Sequence, residues 1–254
     1  RSGPGWPADP PGWPALLTDP VVAGGADPDP AAPAARWASG FRPRGALPEG
    51  FFVRDAARVA RDLLGTRLVS TLGGERTEGV IVETEAYLGA EDPASHAATR
   101  RGRTERNAAM FGPPGRAYVY FIYGVHWCLN VVTGAPGEAQ AVLLRGLEPL
   151  GGRSIMARRR GRDAELTSGP GRLCQALAVD GDLYGHDLLR PPLLILPGWH
   201  VPDDRVAVTG RVGVRAAADR PLRFLVEGSR GVSRPVRAAE GGRGPAGPEG
   251  SGTV

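Results

Sequence analysis

The sequence predicts a mixed α+β domain built on a mostly antiparallel sheet. Three observations lead there. Short runs rich in β-branched and aromatic residues recur between Thr66 and Gly228, two further segments carry apolar residues at helical spacing, and glycine and proline turns separate them in irregular order rather than in strict β-α alternation.

The first helix is DAARVARDLL, residues 55–64, with an acidic start, apolar Ala56, Val59, Ala60, Leu63 and Leu64 on one face, and Gly65 as a stop. TRLVS, VIVETEAY, AYVYFIYG, WCLNVVTG and QAVLLRGLEP follow as strands, punctuated by GG, GPPG and TGAPG. AYVYFIY and WCLNVV read as a hairpin with Tyr123 close to its tip and Gly124 in the turn. SGPGRLCQALAV reads as a second helix opening after Ser168, Gly169 and Pro170, and RVAVTGRVGV with RPLRFLVEG closes the sheet. Residues 1–46 are dense in Pro, Gly, Ala and Asp with few large aliphatics, too little apolar surface to offset chain entropy, so a flexible leader is expected. Residues 238–254 form a similar tail, leaving one folded domain over 47–237.

The charge balance is basic, net +4, and all 31 basic side chains are arginine. A planar, permanently charged guanidinium suits phosphate and hence a nucleic-acid partner, while solvated charge on an ordinary surface would give the same balance. No lysine is present to supply the side-chain amine of a Schiff base, so glycosyl chemistry on this chain is expected to use water. Cys128 and Cys174 sit in apolar contexts without C-x-x-C spacing, and no apolar run has the length of a membrane span; a cytoplasmic, monomeric protein without cofactor is expected.

As a strand, VIVETEAY places Ile81, Glu83, Glu85 and Tyr87 on one face and Val80, Val82, Thr84 and Ala86 on the other, one face for the core and one for chemistry. His96, in the arginine-rich loop that follows, is free to fold over the first face. A carboxylate with an ordinary pKa of about 4.3 is ionised at neutral pH and able to activate water or stabilise a cationic transition state. A glutamate paired to one of the many arginines would read the same way in sequence, and Glu83 fits that role better. Two neighbours at i and i+2 cannot flank a sugar ring from opposite sides, so a paired-carboxylate glycosidase is not expected. His96, His126, Cys128 and Cys174 have no metal-ligand spacing, and His126 and Cys128 fit ordinary strand packing.

On the hairpin, Tyr118, Tyr120 and Ile122 share one face and Phe121 and Tyr123 the other. An aromatic tip flanked by arginines is suited to wedging a base step from the minor groove. For Arg100, Arg101, Arg103 and Arg106 in the preceding loop, phosphate contact and plain solvation are both open. Phe121 and Trp127 are expected as core aromatics.

Taken together, these residues resemble the alkyladenine (3-methyladenine) DNA glycosylase family. ETEAY at Glu83–Tyr87, DPASH at Asp92–His96, RNAAMFGPPG at Arg106–Gly115 and YVYFIYG at Tyr118–Gly124 match its pattern. LLRGLEP at Leu143–Pro149, SGPGRLCQAL at Ser168–Leu177 and RVGV at Arg211–Val214 extend the match in the family's order. The resemblance implies a compact α+β fold with a curved sheet and a protruding hairpin, related to the C-terminal domain of formyltransferases. It implies Glu85 as the general base, assisted by Arg145 and the main-chain carbonyl of Val212. Tyr87, His96 and Tyr120 would wall the flipped base, Asn130 would reject guanine's exocyclic amine, and Tyr123 would fill the gap in the duplex, with Arg103 and Arg106 on the backbone. The implied partner is double-stranded DNA carrying damaged purines.

Two other readings compete. A non-catalytic nucleic-acid-binding module of the same fold would have no need of Glu85, Tyr87, His96 and Arg145 standing together. A hydrolase for free nucleosides would show no dependence on duplex DNA and no use for Tyr123.

Overall fold

The computed structural model describes Leu47 and residues 50–95 and 102–234. The leader (1–46), the tail (238–254), His96, Arg100 and Arg101 lie outside the described residues.

Helix α1, Ala56–Leu63, forms where the sequence asks for it. Asp55 accepts the N–H groups of Ala57 and Arg58 as N-cap, and Ala56, Val59, Ala60 and Leu63 are buried at i, i+3, i+4 and i+7. Strands β1 (Arg67–Ser70), β2 (Thr77–Tyr87), β3 (Ala117–Ile122), β4 (His126–Thr133) and β5 (Gln140–Gly151) follow. After helices α2 (Arg153–Arg160) and α3 (Pro170–Leu177) come β6 (Leu189–Arg190), β7 (Leu193–Leu196), β8 (Val206–Thr209) and β9 (Arg223–Val226).

The nine strands of the described residues join one sheet with antiparallel pairings, in the order β3-β4-β5-β2-β1-β7-β6. Strand β2 is its spine. One edge pairs along its length with β5, while the other is divided between β1, opposite Thr77–Val80, and β9, opposite Glu83–Glu85, with β8 outside β9. The sheet curls into a half-barrel around this fork. Register shifts lie on both sides of Glu83 in the β2–β5 ladder, a place where a side chain is re-aimed.

The main core fills one side of the sheet. Val80, Val82, Ala86, Val119, Leu129, Val131, Val142 and Leu144 pack there against α1 and the buried Leu173, Cys174, Ala176 and Leu177 of α3. The Thr84 hydroxyl on the same side donates to the Ala60 carbonyl at 2.8 Å. Ile81 departs from the expected alternation and joins this core, next to the register shift. A second, smaller cluster of Met110, Tyr118, Val132, Ala139 and Ala141 lies apart from it.

Several elements differ from expectation. Helix α2 was not predicted because RSIMARRR buries only Met156 completely; its flanking Gly152 and Gly161, both left-handed, and the arginines of its last turn were the available signals. Strands β6 and β7 lie among Pro191, Pro192 and Pro197, which hide a strand from sequence reading. RVAVTGRVGV is a strand only over Val206–Thr209, after which Gly210–Val214 leave the sheet.

Candidate active site

The pairing registers set one row of residues across four strands. Glu85 of β2 faces Leu143 of β5, Leu143 faces Asn130 of β4, and Asn130 faces Tyr118 of β3. Tyr87 faces Ala141 in the adjacent row, and Tyr120 faces Cys128. Because cross-strand partners share a face, Glu85, Tyr87, Asn130, Tyr118 and Tyr120 stand on the side opposite the main core.

Glu85 is wholly buried and every polar contact on it is a donor. The Val212 N–H donates to Oε1 at 2.6 Å, and Arg145 Nη1 and the Tyr87 hydroxyl donate to Oε2 at 3.3 and 3.2 Å. Val212 thus meets Glu85 through its amide, whereas the expectation concerned its carbonyl. Burial raises the Glu85 carboxyl above its ordinary range, opposed by the Arg145 charge and the bonds from Val212 and Tyr87. Burial likewise pushes the Tyr87 phenol up, so it is a donor and not a base.

Arg145 is buried and uses all three nitrogens: Nε to Glu83 Oε1 at 3.2 Å, Nη1 to Glu85, and Nη2 to Ser233 Oγ at 3.3 Å. Burial alone would lower its pKa, but Glu85 and Glu83 hold it above the ordinary value. Glu83 is the ion-pair partner on this strand, bound also by Arg223 Nε at 2.7 Å and by the N–H and hydroxyl of Ser233. Beyond Tyr87, the Arg211 guanidinium stacks 4.8 Å from the Tyr87 ring centre and grips Asp92 with two nitrogens. Buried Glu83, Glu85 and Asp92 are thereby matched by buried Arg145, Arg223 and Arg211. Desolvating each such ion costs several kcal/mol, and pairing with directed hydrogen bonds is what makes the cluster tenable.

Tyr120 sits close by, beside the Cys128 thiol on the neighbouring strand; burial raises both groups. Its ring centre is 5.3 Å from that of Tyr118. The Asn130 amide is buried and donates to the Tyr118 carbonyl at 3.0 Å. At the hairpin end, Tyr123 is 84% exposed and adopts φ 54°, followed by Gly124 at φ 69°, while Val125 N–H closes the turn onto the Ile122 carbonyl. Arg103 and Arg106 are exposed, and Arg106 Nη2 donates to the carbonyl of Phe121, two residues before Tyr123, at 2.9 Å. Phe121 is not a core residue as expected: it is 40% exposed and packs on Trp127, because the strand runs past the edge of the main core. His126 is also exposed, its ring against Gly171 of α3. A cleft of about 700 Å³ along this edge is lined by Arg106, Tyr120, Phe121, Tyr123, Trp127 and Tyr184 among others; it does not reach Glu85.

Glu85, Arg145, Tyr87 and Val212 are therefore joined directly, with Tyr120 and Asn130 on the same face and Tyr123 and Arg106 at the hairpin; Arg103 is exposed and, among the described residues, makes no contact that ties it to them. Asp92, Arg211, Arg223 and Ser233 were not anticipated as site residues. Asp92 and Arg211 begin or end recognisable motifs, but Ser233 lies outside all of them.

Residues 50–230 match the family described as Methylpurine-DNA glycosylase (MPG). Fold, buried carboxylate and match together define the class as a DNA glycosylase, an enzyme of DNA repair. Proteins named "Putative 3-methyladenine DNA glycosylase" are similar to this chain. That of Carboxydothermus hydrogenoformans is 50% identical over 191 residues, covering 74% of this chain and 98% of the relative. That of Methanoculleus marisnigri is 50% identical over 74% of this chain and 98% of its own length, and that of Burkholderia lata 46% identical over 80% and 96%. The chain belongs to the methylpurine-DNA glycosylase family.

Proposed function

We propose that this protein releases alkylated and deaminated purines, of the 3-methyladenine, 7-methylguanine and hypoxanthine type, from duplex DNA by water-mediated hydrolysis. The observation that carries the reading is Glu85: an ionisable carboxylate, wholly buried, held by three donors beside Tyr87 and on the face that carries Asn130 and Tyr120.

A base inside a duplex is out of reach, so the damaged nucleotide is extruded, at a cost of a few kcal/mol that is smallest for weakened pairs. Tyr123 occupies the space left in the stack, with Arg103 and Arg106 on nearby phosphates. The base enters between Tyr87, Tyr120 and His96, where an electron-poor alkylated purine gains from electron-rich faces. Asn130 opposes guanine's exocyclic amine.

Water beside Glu85 attacks C1′ as the N-glycosidic bond breaks. The purine departs with the bonding electrons, the water oxygen joins C1′, and its proton passes to Glu85. Arg145 keeps Glu85 ionised until then, and the Val212 carbonyl assists in holding the water. N3 or N7 alkylation already makes the purine a good leaving group, so one carboxylate suffices for those lesions, whereas neutral hypoxanthine must take a proton on its ring to depart. With no lysine in the sequence to form a Schiff base, the product is an intact strand bearing an abasic site.

The test is Glu85→Gln, assayed for base release from duplexes bearing 3-methyladenine, 7-methylguanine or hypoxanthine. Release is expected to vanish while duplex binding survives; release at the wild-type rate defeats the assignment.

A further inference from the structure

After β9 the chain runs back over β5 beside Arg145. Ser229 Oγ and the Gly231 N–H both donate to Glu148 Oε2, at 2.6 and 3.0 Å. Backbone contact seats the strap further: a Cβ on Gly146 would stand 2.3 Å from the Gly231 oxygen, and one on Gly231 would stand 2.2 Å from the Leu147 oxygen. Its end delivers Ser233 to the ion-pair cluster. The Ser233 N–H donates to Glu83 Oε2 at 2.6 Å, its hydroxyl donates to Glu83 Oε1 at 2.9 Å, and the same oxygen accepts from Arg145 Nη2 at 3.3 Å. The Arg234 carbonyl accepts from Arg223 Nη2, fixing the second cation on Glu83.

We propose that Ser233 is a positioning residue for base release, acting through Arg145 on Glu85. A hydroxyl has one proton to give and lone pairs to accept, and here the proton goes to Glu83 while a lone pair takes Arg145. Arg145 has one nitrogen for each of Glu83, Glu85 and Ser233, so the third contact fixes the rotation of the guanidinium plane. With Ser233 Oγ removed, Nη2 loses this acceptor inside a buried site, and the plane turns away from the geometry that presents Nη1 to Glu85. Among the described residues, Ser233 Oγ binds Glu83 and Arg145 and has no bond to Glu85 itself. The inference rests on Glu85 being the general base.

The experiment compares wild type with Ser233→Ala, Ser233→Thr and Glu85→Gln in the full chain. Single-turnover release of methylpurines from alkylated duplex DNA is measured against pH, with affinity for an abasic-site duplex and thermal unfolding followed in parallel. Ser233→Ala is expected to slow release on the order of tenfold, the scale of one charge-assisted hydrogen bond. Affinity should be unchanged and melting lowered only by the loss of one hydroxyl's bonds to buried partners, while the acid limb should move to higher pH because a loosened Arg145 holds the proton off Glu85 less well. Ser233→Thr, which keeps the hydroxyl, should restore both rate and pH profile. A wild-type rate and acid limb in Ser233→Ala, with Glu85→Gln inactive, overturns the positioning role alone. A loss of rate and affinity together in Ser233→Ala, with the acid limb unmoved, overturns it too, by making the strap merely structural. Release by Glu85→Gln overturns the reading of Glu85 on which the inference stands.

Discussion

Asp92 and Arg211, 119 positions apart in sequence, form a two-pronged ion pair from which solvent is wholly excluded. The pair fastens the turn after β2 to the loop after β8. Arg211 also donates to the Ala86 carbonyl and stacks on Tyr87, and its neighbour Val212 supplies the amide that holds Glu85. Burial would raise the Asp92 carboxyl, but Arg211 and the Leu88 and Ala94 N–H groups hold it below its ordinary range. Its contribution to stability is thus complete above the unfolded-state pKa and disappears as pH falls through the lower folded value. Asp92→Asn leaves Arg211 buried without its counter-charge and is expected to cost about 3–5 kcal/mol. Urea unfolding at neutral pH measures that loss, and the difference from wild type should shrink in acid.

Glu85 has the opposite linkage. Its folded pKa is raised by burial, so ionising it at neutral pH works against folding, and the stability it lends is present only in acid, below the unfolded pKa, and fades as pH rises through the folded value. Glu85→Gln is therefore expected to unfold at a temperature equal to or above that of wild type at neutral pH while releasing no base. The wild-type rate should fall as pH drops through a midpoint above the ordinary carboxylate range, with the slope of a single proton. A midpoint at or below that range would contradict the burial argument.

The local half of this site was legible in sequence because it is written locally. Alternation along VIVETEAY put Glu83, Glu85 and Tyr87 on one face, and the Asp-capped periodic segment gave α1. Tyr123 and Gly124 stand at the hairpin turn as the sequence indicated. Residues joined by tertiary contact left no such trace. Arg223 and Ser233 reach Glu83 across 140 and 150 positions, and nothing in RPLRF or GVSR separates a buried arginine or a bonding serine from surface ones. The ordinary carboxylate pKa first assigned to Glu85 failed for the same reason, since burial is a property of the assembled sheet.

Arg145 offers a sharper test of geometry than of charge. Lysine there would keep a positive charge, but a single ammonium cannot hold the fork-like contacts to Glu83, Glu85 and Ser233 together. Arg145→Lys is expected to lose about 1–3 kcal/mol of stability for the acceptors left short of a donor. Release should fall more than tenfold, with the rate lost in single-turnover chemistry rather than in duplex affinity. Equal activity in this variant would show that charge alone at Arg145 suffices.

Tyr123 combines exposure with strain, so packing does not account for a tyrosine at the hairpin tip. It is 84% exposed and sits at φ 54°, a left-handed conformation that a glycine accepts without penalty. Removing the side chain costs no packing, and relaxing the backbone is worth up to about 1 kcal/mol. Tyr123→Gly is accordingly expected to melt at or slightly above the wild-type temperature. If the ring fills the space left by the extruded nucleotide, the same variant should release damaged bases from duplex DNA at least tenfold more slowly, a loss of about 1.4 kcal/mol in the extruded state. In single-stranded DNA there is no gap to fill, so its rate should approach that of wild type there. Parallel rates on duplex and single-stranded substrates, with thermal unfolding as the control for folding, check this; an equal loss on both would assign the tyrosine to the base pocket instead of the duplex.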